Sequence, residues 1–230
     1  MSNPDSAQAR ETAPGGPAAE FYEPDRRHIL WYFIAGFVML AVGGLYGTLQ
    51  AFDKMGVNLY PYLPWPLNSY YLGLTAHGLT LAWFYTTYFI LAFLTFVTVH
   101  GLRRPMASRR LAGITFALAI VGPLLTLVPT FTNDATVLWT FYAPLRAHVG
   151  FYAGLTLLVV ATWLAGLNTY LTWRAWKREH PGERTPLMTF AALVTWTMWF
   201  IASLGAAAAM LFQLIPWSAG WIGRVNPLLT

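Results

Sequence analysis

Long stretches without a charged side chain constrain this sequence more than any other feature. A helix that crosses about 30 Å of hydrocarbon needs about 20 mainly apolar residues. Five uncharged runs reach that length, and they predict membrane-spanning helices. The spans are placed at about residues 29–51, 69–100, 111–131, 147–174 and 187–215. The predicted fold class is therefore all-α, a polytopic transmembrane bundle of five helices.

Two segments beside the first and second spans are predicted to lie outside the bilayer. Residues 1–27 have no apolar period and are rich in proline and glycine near their start, which predicts a disordered cytoplasmic tail. Pro61, Pro64 and Pro66 would break a lipid-exposed helix, so residues 55–68 are predicted to form an interfacial loop. The chain thus divides into a tail, residues 1–27, and a transmembrane domain, residues 28–230.

The basic residues predict the orientation of the bundle. Eleven of the 14 lysines and arginines fall in the tail and in the second and fourth segments outside the membrane, against three on the opposite side. Positive charge favours the cytoplasmic side, so the N-terminus is predicted inside. Basic cytoplasmic loops also explain the net charge of +5, and no nucleic-acid partner is expected. The sequence has no cysteine, which excludes disulfides and thiolate metal sites.

Few side chains within the spans can carry a charge near neutral pH, and His77 is the candidate functional residue among them. It lies on the order of 10 to 13 Å below the outer end of the second span, and every acid lies outside the spans. An ionisable residue at such depth is by default a functional candidate, and a neutral imidazole suits an axial position on haem iron. A structural histidine that hydrogen-bonds across helices is an equal alternative. Gly73 and Gly78 favour the haem interpretation because small residues leave room for a porphyrin.

The remaining histidines and some glycines have plainer interpretations. His28, His100, His148 and His180 lie near the predicted span ends, as interfacial side chains do. No catalytic residue is assigned. Two glycine pairs at GxxxG spacing, 43 with 47 and 150 with 154, suit close helix approach in a bundle.

Four segments, in collinear order, resemble subunit I of the haem-copper oxygen reductases. The second corresponds to the helix that carries an axial histidine of the low-spin haem, which implies that His77 is that ligand. The segments are "GGLYGTLQAF" in the first span, "YYLGLTAHGLTLAWF" around His77, "NDATVLWTFYAPLRAHVGFY" before and into the fourth span, and "TPLMTFAALVTWTMWFIASLG" with "LIPWS" in the fifth.

The loop "GLRRPMASRRLAG" has no acid, and in this it is similar to the B family, the cytochrome b/a type. The resemblance implies a cytochrome c oxidase that reduces oxygen to water with coupled proton translocation in the plasma membrane of a prokaryote. It further implies a b-type low-spin haem, a subunit II with the electron-entry site, and cytochrome c or a similar donor. Trp139 and Tyr142 are expected near the outer end of the haem region. A nitric oxide reductase-like relative is a further possibility.

The family's catalytic subunit has at least twelve helices, and five are predicted here. The copper B ligands, the high-spin haem ligand and the second axial histidine of the low-spin haem belong to later helices of that family. The chain is therefore expected to be an N-terminal fragment, inactive by itself, in which His77 is the one metal ligand. A non-catalytic five-helix transport or assembly protein is the alternative from another functional class.

Overall fold

A computed structural model describes residues 17–135 and 145–226, with side chains from residue 25 onward. Five helices in it are long and apolar enough to cross a membrane, which confirms the predicted all-α class and the number of spans. The helices are α1 (Pro17–Lys54), α2 (Tyr70–Leu102), α3 (Arg109–Phe131), α4 (Val149–Glu179) and α5 (Leu187–Ser218). Two of them, α2 and α5, contain a π-helical segment, over Leu79–Tyr85 and Met210–Leu214.

The first helix begins earlier than the sequence predicts. Residues 17–27 were assigned to a disordered tail, but α1 already starts at Pro17, so this part of the tail is helical instead. Asp25 is buried, with 2% of its surface exposed, and its carboxylate accepts a hydrogen bond from the backbone N–H of Met106 at 2.9 Å. That contact holds the start of α1 against the rest of the bundle. Residues 1–16 lie outside the described part of the chain.

The loop between α2 and α3 is held by side chains from two other helices. The consecutive N–H groups of residues 106–108 donate, in chain order, to Asp25 (2.9 Å), Thr172 (2.9 Å) and Asn168 (3.1 Å). The Asn168 amide also donates to the carbonyl of Ser108 at 3.0 Å. Buried backbone groups need such partners because leaving them unpaired is costly. The loop that carries no acid is thus a fixed structural element at the predicted inner end.

Helices α3 and α4 approach each other closely where glycines face each other. A Cβ added to Gly122 would lie 2.6 Å from the carbonyl oxygen of Gly154, and a Cβ on Gly154 would lie 2.7 Å from the backbone nitrogen of Thr126. Backbone atoms cannot move aside as a flexible side chain can. The pair predicted at 150 and 154 therefore has a packing role at Gly154, which needs to remain without a side chain.

The segment between α1 and α2 lies outside the helices, in agreement with the prolines it contains. It includes one short 3₁₀ turn, Tyr60–Tyr62, and the Trp65 indole N–H donates to the carbonyl of Phe131 at the end of α3, at 3.1 Å. Ser69 then caps α2, its side chain accepting from the N–H of Leu72 at 3.3 Å. This cap fixes where α2 starts and hence the depth of His77.

Candidate functional site around His77

His77 lies near the end of the first segment of α2. That segment, Tyr70–Gly78, is followed directly by the π-helical segment Leu79–Tyr85. His77 is the eighth residue after the Ser69 cap, which at 1.5 Å per residue places it about 12 Å along the helix. π-Helical insertions are frequent at functional sites because they alter the direction of side chains next to them.

The His77 ring makes one cross-helix hydrogen bond that decides its tautomer. Its Nδ1 lies 2.7 Å from the carbonyl oxygen of Gly43 in α1. A carbonyl oxygen only accepts, so Nδ1 must carry the hydrogen and donate it. In a neutral ring, Nε2 then keeps its lone pair, and it has no hydrogen-bond partner among the described residues. This is the protonation state that a metal-binding histidine needs.

The ring is held in place by a second glycine one turn further along α1. A Cβ added to Gly47 would lie 2.5 Å from Cε1 and 2.8 Å from Nδ1 of His77. At Gly43 the added Cβ would lie 2.5 Å from the hydroxyl oxygen of Thr80. The glycine pair predicted at 43 and 47 therefore forms the surface against which the imidazole packs, and this link to His77 was not anticipated from the sequence.

Gly73 packs against α1, where an added Cβ would lie 3.0 Å from Cδ1 of Tyr46. Gly78 is buried. The small residues that matter for the His77 ring lie on the neighbouring helix, because helix packing and not sequence adjacency decides what faces a side chain.

Three of the other histidines lie at or beside helix ends, as predicted, whereas His28 lies inside α1, eleven residues after its start at Pro17. His148 precedes α4 and its Nδ1 accepts from the N–H of Gly150 at 3.1 Å. His100 stacks on Phe96, with ring centroids 5.5 Å apart. His180 ends α4, and His28 meets the Phe116 ring edge-on.

Within the described residues, no three side chains of histidine, cysteine, aspartate or glutamate lie close enough to hold a metal ion together. The predicted haem-region residues Trp139 and Tyr142 lie outside the described part. What the described site offers is a single, oriented imidazole within a membrane-spanning helix. Such a group fits one axial position on haem iron, which is how histidine holds haem in many proteins.

Comparison with known proteins identifies the family of this chain. The family described as cytochrome c and quinol oxidase polypeptide I matches residues 27–230. Cytochrome c oxidase subunit 1 of Thermus thermophilus is 38% identical over 210 residues, which are 90% of this chain and 37% of that protein. A cryo-EM structure of a heme-copper terminal oxidase dimer superposes with a TM-score of 0.79 at 34% identity, over 88% of this chain and 34% of that one.

The chain spans a little over a third of the length of these relatives. The match covers nearly all of the predicted transmembrane domain, and both the family description and the Thermus relative concern subunit I of an oxidase. The five spans make this a multi-pass membrane protein. The chain therefore belongs to the subunit I family of the haem-copper oxidases.

Proposed function

We propose that this chain forms the N-terminal part of the catalytic subunit of a terminal respiratory oxidase, and that His77 supplies one axial ligand of its low-spin haem. The observation that carries the proposal is the 2.7 Å contact between Nδ1 and the Gly43 carbonyl, which leaves Nε2 as the ligating atom. Haem bound there supplies one-electron transfer chemistry.

The residues around His77 prepare the imidazole for that role. The hydrogen bond from Nδ1 to Gly43 fixes the ring orientation and increases the basicity of Nε2, as partners of this kind do for metal-ligating histidines. The ring packs directly against Gly47, where the absence of a side chain leaves room for it. The site lies within a helix that is long and apolar enough to cross a membrane.

The finer assignment follows from family resemblance and from charge. We propose a cytochrome c oxidase of the B family, which reduces oxygen to water with coupled proton translocation, contains a b-type low-spin haem and works with a subunit II and a cytochrome c-like donor in a prokaryotic plasma membrane. The described acids support the B family because they lie towards the two ends of the bundle: Glu20, Glu23 and Asp25 in the N-terminal part of α1, Asp53 and Glu179 at helix ends, and Asp134 and Glu183 in loops. Copper B and the high-spin haem would be held by the remainder of the subunit.

Family membership favours this function over a transport or assembly role. A nitric oxide reductase-like activity remains the competing function within the superfamily, and oxygen and nitric oxide consumption by the purified complete enzyme separate the two. Oxygen uptake with cytochrome c supports the oxidase. Turnover of nitric oxide without oxygen uptake would instead assign the chain a nitric oxide reductase-like function.

The haem ligand is tested in the complete subunit with two histidine variants. His77→Ala is expected to abolish or strongly shift the reduced-minus-oxidised absorbance of the low-spin haem, because iron that loses one axial imidazole changes its spin state. His100→Ala, at the opposite end of α2, is the control and is expected to retain the spectrum. A normal low-spin signal in membrane-inserted His77→Ala would make His77 a packing residue.

A further inference from the structure

A small cavity with several polar groups in its lining lies where α1, α2, α3 and α4 meet near the predicted inner end of the bundle, and His77 does not line it. Asp25 and His28 line it from α1, Thr115 from α3 and Asn168 from α4. It leaves about 20 Å³ of space for the centre of a water molecule. A water molecule itself occupies roughly 10–15 Å³ as a probe sphere. The cavity is therefore large enough for a single water.

Two polar atoms at this cavity have no hydrogen-bond partner among the described residues. They are Nδ1 of His28 and the hydroxyl oxygen of Thr115, and both are buried. Thr115 as a whole has only 3% of its surface exposed. Buried polar groups in folded proteins are paired with protein groups or with ordered water. Two unpaired polar atoms that line one cavity therefore indicate that a hydrogen-bonding molecule lies between them.

Thr115 differs from most other buried threonines in these helices. The hydroxyls of Thr98, Thr126, Thr130 and Thr172 donate to the carbonyl four residues earlier in their own helix, at 2.7 to 3.0 Å. That local bond satisfies a hydroxyl without any outside partner. Thr115 makes no such bond although it lies within regular α3. Its hydroxyl is left for a partner in the cavity.

We propose that this cavity is a binding site for one ordered water molecule, held by the Thr115 hydroxyl and Nδ1 of His28. Asp25 and Asn168, which line the same cavity, offer further polar groups, and a buried water typically makes about three hydrogen bonds. The water completes the polar junction at which Asp25 and Asn168 already hold the backbone of residues 106–108. It joins α1, α3 and α4 at a point where their direct side-chain contacts leave polar atoms unpaired.

The sign of a stability change tests the proposal. Thr115→Val keeps the shape and removes the hydroxyl. If the cavity is hydrated, the variant loses a hydrogen bond to water. The midpoint of its thermal unfolding, measured in lipid nanodiscs, is then expected to fall by about 2–4 °C. In a dry cavity the same change removes an unsatisfied hydroxyl, so the midpoint stays or rises.

Thr189→Val is the matched control, because the Thr189 hydroxyl is also buried without a partner among the described residues but does not line this cavity. Its midpoint is expected to stay or rise. A Thr115→Val midpoint that is unchanged, higher, or lowered only as much as that of Thr189→Val overturns the proposal.

A density map gives a second test that needs no variant. A cryo-EM map of the complete subunit, at a resolution that shows ordered waters elsewhere, is expected to contain a peak within hydrogen-bond distance of Thr115 Oγ1 and His28 Nδ1. An empty cavity in such a map overturns the proposal, whether or not the Thr115 variant folds. This outcome is independent of whether His77 binds haem.

Discussion

Gly47→Ala is the substitution that most sharply tests how His77 is positioned. The added methyl carbon would lie 2.5 Å from Cε1 of the imidazole. Carbon atoms in contact prefer about 3.5–4.0 Å, so the ring or the two helices must move by about 1 Å or more. A shift of that size stretches the Nδ1 contact with Gly43 beyond a normal hydrogen bond. It also moves Nε2 from its present position.

The expected cost follows from those contacts. Overpacking a tight site costs about 1–3 kcal/mol, and a lost hydrogen bond adds roughly 0.5–1.5 kcal/mol. We expect Gly47→Ala in the complete subunit to lower the thermal midpoint and to shift or weaken the low-spin haem absorbance. Both are measured on the same membrane-inserted preparation, by differential scanning fluorimetry and by reduced-minus-oxidised difference spectroscopy.

Gly44→Ala provides the control within the same helix. An added Cβ there meets nothing within 4 Å, while the gain in helix propensity is the same as at Gly47. Its midpoint is expected to be unchanged or higher, with a normal spectrum. If Gly47→Ala and Gly44→Ala behave alike, the ring is not held by α1 in the manner described, and the positioning argument fails.

Two further predictions concern orientation and packing. Because the Lys and Arg bias predicts the N-terminus inside, a cysteine at exposed Asn58 is expected to react with a membrane-impermeant thiol reagent added outside intact cells, and a cysteine at exposed Gly182 is expected to be shielded. The reverse labelling pattern would show the opposite orientation of the bundle. Gly154→Ala is expected to lower the midpoint of thermal unfolding because its methyl group would meet the backbone of α3. Gly113→Ala, in open space on α3, is expected to leave the midpoint unchanged, and equal midpoints for the two variants would contradict the close approach of α3 and α4.

The helix spans were predictable because they depend on a local property. Each predicted span lies within or nearly within its observed helix, because the length of a run of consecutive apolar residues can be seen directly in the sequence. The interfacial loop before α2 followed in the same way from its prolines. The exact ends of the helices were harder to predict. Helix α4 extends to Glu179, beyond the predicted 174, because amphipathic and charged residues continue a helix past the apolar core.

The contacts that define the site were less predictable because they join residues distant in sequence. His77 was recognised by its depth, but its partner is the main-chain carbonyl of Gly43, an acceptor that every residue possesses and that leaves no mark in the sequence. Asp25 was assigned to a tail because the sequence does not reveal its partner, the N–H of Met106, which lies 81 residues away. The glycine spacing at 43 and 47 was the one available signal, and it indicated close packing without saying what would be packed there.

Chemical rescue of His77→Gly tests most directly whether this residue is a haem ligand. The glycine variant of the complete subunit leaves a space where the imidazole was, and free imidazole added to it can occupy the vacant axial position. We predict that the variant lacks the low-spin absorbance and that millimolar imidazole restores it, while His100→Gly has a normal spectrum with or without imidazole. A His77→Gly variant that is correctly inserted and retains the normal low-spin spectrum without added imidazole would contradict the assignment.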